Sequence, residues 1–120
     1  MEIINSIKDR LLACGVVECH TSKAIVPLDL PAGVVSLVSL AGDKKTSTGY
    51  VDYTFKAECF IAVENNDNAD EVLMVMLSHF VGDAPVRPVS NIDEVEFYDS
   101  MLGPRDVRIA KFEVEWQGGM

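Results

Sequence analysis

The longest regular pattern in the chain covers residues 50–64, YVDYTFKAECFIAVE. Val51, Tyr53, Phe55, Ala57, Cys59, Ile61 and Val63 form an apolar row. Asp52, Thr54, Lys56, Glu58, Phe60, Ala62 and Glu64 form the alternate, mostly polar row. A period of two predicts a strand with one face buried and one face wet. A strand this long has two rows of backbone donors and acceptors to satisfy, so it belongs inside a sheet. The other segments are expected to pair with it or to pack on its apolar row.

Two segments change the period to that of a helix. Residues 2–13 set Ile3, Ile4, Ile7, Leu11 and Leu12 near one face, and Gly15 follows as a stop. Further on, Asn68 is expected as an N-cap with Glu71 three residues later, as in a capping box. Ala69, Val72, Leu73, Met76, Leu77 and Phe80 then make one stripe that ends at Gly82. Methionine at this spacing reads first as core. Met74, Val75 and Val81 lie off the stripe, which is more apolar surface than one sheet contact needs. Met74 and Val75 are therefore candidates for a subunit interface.

The remaining apolar runs supply further strands. Residues 34–40, VVSLVSL, read as a strand buried on much of both faces. The polar loop 41–49, AGDKKTSTG, joins it to the long strand as a hairpin whose tip, with Asp43, Lys44 and Lys45, is open to a partner. Residues 88–98 and 107–117 are two more strands, joined by a loop over 99–106 turning at Gly103–Pro104. In the last strand Ala110, Phe112, Val114 and Trp116 alternate with Lys111, Glu113, Glu115 and Gln117. Between residues 16 and 32, Pro27 and Pro31 interrupt any central strand, leaving short pieces at 16–17 and 24–26 on an edge or in a loop. The prediction is one α+β domain over residues 1–120. It has a mainly antiparallel sheet of about four strands with two helices packed on one face.

Composition narrows the function. At 120 residues and 48% hydrophobic, the chain suits a single core, and no apolar run reaches membrane-span length. The charged start MEIINSIKDR is unlike a signal peptide, so a soluble, intracellular protein is expected. The net charge of -9 comes with no basic cluster beyond Lys44–Lys45, which argues against sequence-independent nucleic-acid binding. Solubility accounts for the acidity in the first instance. Three cysteines, Cys14, Cys19 and Cys59, do not close a disulfide framework and fit a reducing compartment.

No catalytic motif for phosphate, dinucleotide, hydrolase or zinc-protease chemistry occurs. His20 has Glu18 nearby, but adjacent Cys19 and His20 do not meet easily on a strand, so no base stands beside a nucleophile. Cys14, Cys19 and His20, with His79, lack the paired spacing of a zinc site. The sequence predicts no enzyme, no cofactor and no metal.

In order, the pieces resemble the tail terminator and tail completion proteins of long-tailed bacteriophages, including the lambda-like terminator family. The resemblance rests on the N-terminal helix and the step Leu30-Pro31-Ala32-Gly33-Val34-Val35 into a β-rich strand. The polar hairpin loop, the alternating strand at 54–63, the acidic turn and helix at 70–80 and the closing strand IAKFEVEW at 109–116 follow. Almost the whole chain is covered. Such a protein is structural: it forms a ring, commonly a hexamer, that caps the tail tube, stops its growth and presents a surface to the head. The resemblance implies self-association and the tail tube protein and head-tail connector as partners. It places the chain in the host cytoplasm during assembly and in the virion tail afterwards, with an acidic lumen that repels passing DNA. Asp43, Lys44, Lys45, Met74 and Val75 become its interface residues. The alternative is a small α+β adaptor or ligand-binding domain acting as a dimer.

Overall fold

The computed structural model describes residues 2–21, 27, 29–45, 51–82, 91–92 and 94–119. The elements are α1 (Glu2–Ala13), β1 (Glu18–His20), β2 (Ala32–Lys45), β3 (Val51–Glu64), α2 (Ala69–Gly82), β4 (Asn91–Ile92), β5 (Glu96–Leu102) and β6 (Arg105–Gly119). The strands form one sheet in the order β1-β2-β3-β6-β4, with β5 also pairing β6. The β1–β2 pairing is parallel and the rest are antiparallel. The alternating strand β3 is central, held between β2 and β6 over nearly its whole length. This is the α+β fold that the patterns predict, with two strands beyond the expected four, β1 and β4, of only three and two residues.

Both helices lie on the same face of the sheet. α1 buries Ile7 and Leu11, and α2 buries Ala69, Leu73, Met76 and Phe80. All join one cluster with Val35, Ala57, Cys59, Ile61, Val63, Ala110, Phe112 and Val114. The sheet members are alternate residues on β3 and β6, as the period of two requires. Gly15, at φ +117°, takes the left-handed conformation that closes α1. Gly33 brings β2 close under α1. A Cβ there would stand 3.3 Å from Val16 Cγ1, 3.4 Å from Cys19 Sγ and 3.4 Å from Leu11 Cδ1.

The structure corrects several local expectations. The second face of the sheet is not wholly wet. Ala62, Val107 and Ile109 are buried there, with Leu30, Phe60, Tyr98 and Leu102 packed against them. Strand β2 is not buried on both faces either, since Leu37 and Val38 are exposed. Its register shifts between Leu37 and Ser39, leaving Val38 as a bulge opposite β3. The extra residue puts Leu40, rather than Ser39, in register with Phe55 of the apolar row. The strand expected over 88–98 is two short ones, β4 and β5, and β5 runs on through residues assigned to the following loop. The loop shrinks to the Gly103–Pro104 turn, with Gly103 at φ +60°. At α2, Asn66 supplies the Asx turn, its Oδ1 accepting from Asn68 N–H at 2.9 Å. Asn68 contributes its carbonyl, bonded to Val72 N–H at 2.9 Å. The strand piece expected at 24–26 lies outside the described residues.

Candidate functional site

The sheet is longer than the helices that cover it. At about 3.3 Å per residue the 14-residue strands β2 and β3 reach about 46 Å. At 1.5 Å per residue α1 and α2 are about 18 and 21 Å long. Among the described residues, the positions of β3 buried under the helices fall between 57 and 63. From Lys56 back to Val51, β3 continues with β2 on one edge and β6 on the other, out to Lys45↔Val51 and Asp52↔Gly119. The result is a three-stranded arm in a chain measuring 54 × 28 × 21 Å. Asp43, Lys44 and Lys45, expected in a loop, are the last three residues of strand β2 at the end of this arm. Pairing with the long β3 carries β2 out to Lys45, in register with Val51, while Asp43 and Lys44 fall in a second register shift between Gly42 and Lys45.

At the other end of β3 the chain turns into α2. Its buried residues Ala69, Leu73, Met76 and Phe80 form a narrow stripe, and the outer surface is unusually apolar. Met74 and Val75 are 63% and 52% exposed, as their off-stripe positions predict. Val72, assigned by spacing to the buried stripe, is 41% exposed. Stepping 100° per residue carries it off the narrow 69/73/76/80 line and beside Val75 instead. Val72, Val75 and Met76 line a shallow groove of about 410 Å³, with Asn68 and Glu71 at its polar edge. Met76 approaches Gly15, so the groove lies toward the end of α1. Met74 is outside it. Of the two predicted α2 residues, the groove takes only Val75. It adds Val72, expected in the buried stripe, and Asn68 and Glu71, expected as the cap of the helix.

The two ends differ in charge. Residues 41–56 carry Lys44, Lys45 and Lys56 against Asp43 and Asp52. Residues 64–71 carry Glu64, Asp67, Asp70 and Glu71 with no basic residue among them; all four are exposed, and Asp70 is bridged by Arg108. From Glu64 to Asp52 along β3 is about 40 Å, far beyond the screening length of about 10 Å at 0.1 M salt. The lysine end and the acidic end of one molecule therefore do not neutralise each other.

The polar groups elsewhere are structural. Glu18 and His20 share the outward row of β1, with Oε2 and Nε2 2.9 Å apart. Cys19, between them, is buried in the helix-side core, so the strand separates thiol from imidazole. Cys14, Cys19 and Cys59 are all buried, and burial raises each thiol, that of Cys19 to about 11. These are poor nucleophiles at neutral pH. Arg108 bridges Asp70 at 2.8 Å and Asp99 at 2.9 Å, and Asn65 donates to Asp99 and Asp106, tying the start of α2 to the β5–β6 hairpin. Those two carboxylates hold the Arg108 guanidinium above its usual range. Arg10 reaches from α1 to the carbonyl of Phe80 in the last turn of α2, and its guanidinium lies 5.0 Å from the Phe80 ring centroid. Burial lowers it from its ordinary value. Among the described residues no group of three or more His, Cys, Asp or Glu is placed to hold a metal ion. No described helix is long and apolar enough to cross a membrane.

Comparison with models of known protein families gives no match, and comparison with curated proteins gives none at a significant level.

Proposed function

We propose that this protein is a structural subunit of a long-tailed phage or prophage tail, of the tail-terminator type. It associates with itself as a ring, caps the tail tube and joins tail to head. The observation that most supports this reading is the long three-stranded arm, with its lysine-bearing end about 40 Å from the acidic, apolar entry of α2. Two unlike patches at opposite ends of a subunit suit a heterologous contact, which closes into a ring when the rotation permits. The order helix, hairpin, helix, hairpin over the chain supports it further. On this reading the mechanism is geometric and needs no catalysis. A closed ring satisfies its own lateral contacts, and its upper face offers no site for another tube subunit. The tube protein and the head-tail connector are its partners, met in the host cytoplasm and kept in the virion.

Light scattering over a concentration series, with negative-stain images of the same sample, tests the reading. Rings of roughly six subunits are expected. A tight dimer that persists on mixing with tube protein sinks it and leaves the adaptor alternative.

A further inference from the structure

The groove on α2 has an apolar floor and an acidic edge, which is the complement of a lysine side chain. A lysine stem lies favourably on apolar surface while its ammonium seeks a carboxylate. Val72, Val75 and Met76 offer the first, and Glu71 offers the second, while Asp70 next to it is held by Arg108. The chain carries one adjacent pair of lysines, Lys44–Lys45, and the fold sets it at the end of the arm. The span along β3 prevents a molecule from placing that arm in its own groove.

We propose that the end of the β2–β3 arm, with Lys44 and Lys45, docks in the α2 groove of a second copy of this chain. The docking rests on the self-association in the reading above and names the two surfaces that meet. A groove of about 410 Å³ accommodates a few side chains, so the contact acts as an anchor around which the flanking surfaces close. Met74, exposed beside the groove, lies in that flanking area.

The test is charge exchange on the full-length chain. Association is measured by sedimentation and light scattering up to millimolar concentration, with circular dichroism confirming that each variant folds. The double variant K44E/K45E weakens association by about tenfold or more, and so does E71K, since each turns an attraction into a repulsion. Combining all three substitutions in one chain restores association, because the reversed charges pair again. Raising salt from 0.1 to 1 M, which shortens screening from about 10 Å to about 3 Å, weakens the wild type and the triple variant alike, because both associate through paired charges. An assembly indifferent to all these changes overturns the docking and leaves the ring reading intact. A dimer that follows the charge exchange upholds the docking and sinks the ring, since two antiparallel copies can each fill the other's groove. A wild-type monomer at every concentration overturns the docking.

Discussion

Replacing Phe80 by Leu tests how the two helices are tied together. The Phe80 ring is 1% exposed and packs edge-on to Phe112, with centroids 5.3 Å apart and planes at 67°. Such a pair contributes about 0.5–1.5 kcal/mol beyond area burial. The ring also receives the Arg10 guanidinium at 5.0 Å, an interaction of about 0.5–1 kcal/mol, and more where the cation is desolvated. Nε and Nη1 of Arg10 are buried with no hydrogen-bond acceptor among the described residues, and the ring face is the contact that compensates them there. Leucine keeps most of the apolar volume and the backbone carbonyl that Arg10 bonds, and removes both ring interactions. The sum is about 2 kcal/mol, below the 3–5 kcal/mol of a full truncation to Ala. For a domain of this size that is about 8 °C in Tm. Urea unfolding followed by far-UV circular dichroism, at one protein concentration because self-association adds to stability, reads the change. A double-mutant cycle with Arg10→Met isolates the cation term: Phe80→Leu costs about 1 kcal/mol less when Arg10 is absent. Additive costs, or a Phe80→Leu loss under about 0.5 kcal/mol, refute the assignment of Arg10 and Phe80 as the link between α1 and α2.

Two further perturbations probe the core. Gly33→Ala is close to neutral. The new methyl presses on Val16, Cys19 and Leu11 by a few tenths of an ångström, while the unfolded chain loses about 0.4–1 kcal/mol of entropy. Gly33→Val exceeds that tolerance and costs about 1–3 kcal/mol as overpacking, so equal stability of the two variants would contradict the close approach of β2 to α1. The thiols predict a pH response of definite sign. Their folded values lie above the unfolded one, so stability is full below about pH 9 and falls as pH rises toward 11 for Cys19. A urea midpoint unchanged between pH 8 and pH 10.5 contradicts this. At pH 8 ionisation alone makes Cys19 on the order of a hundredfold slower to alkylate than a free thiol, and fast labelling of the native chain would show it accessible.

The fold was readable where one period held long enough to outweigh local chemistry. β3 alternates along its whole length, and its place at the centre of the sheet follows from that. α1 ends where Gly15 allows the left-handed turn. The misreadings share a cause: residues with loop chemistry were drawn into ladders by a longer partner. Lys45 pairs with Val51 and carries β2 on through Asp43 and Lys44, which lie in the register shift, and residues 99–102 extend β5 along β6. The bulge at Val38 was hidden because VVSLVSL contains no glycine or proline to mark it. It shows only as Leu37 and Leu40 spaced three apart in a strand, where a period of two would expect an even separation.

The candidate surface was readable only in part, for a geometric reason. The apolar excess of α2 was visible in composition, and it correctly put Met74 and Val75 outside. How much of the helix the sheet would cover was not, because a stripe of Ala69, Val72, Leu73, Met76, Leu77 and Phe80 is wide enough for either edge to be buried. The structure buries a narrow line and exposes Val72 and Val75 together, one turn after Glu71 and Asn68. An apolar floor beside a carboxylate is a more selective feature than exposed methionine alone, since it rewards a partner that brings both a hydrocarbon stem and a positive charge. The net charge of -9 discourages close approach of two copies in general, so any association must put its few basic groups where they count. An arm that carries Lys44 and Lys45 at the far end of β2 from the start of α2 does this. The same repulsion then favours contacts between unlike ends over contacts between like ends, which is the preference a head-to-tail ring requires.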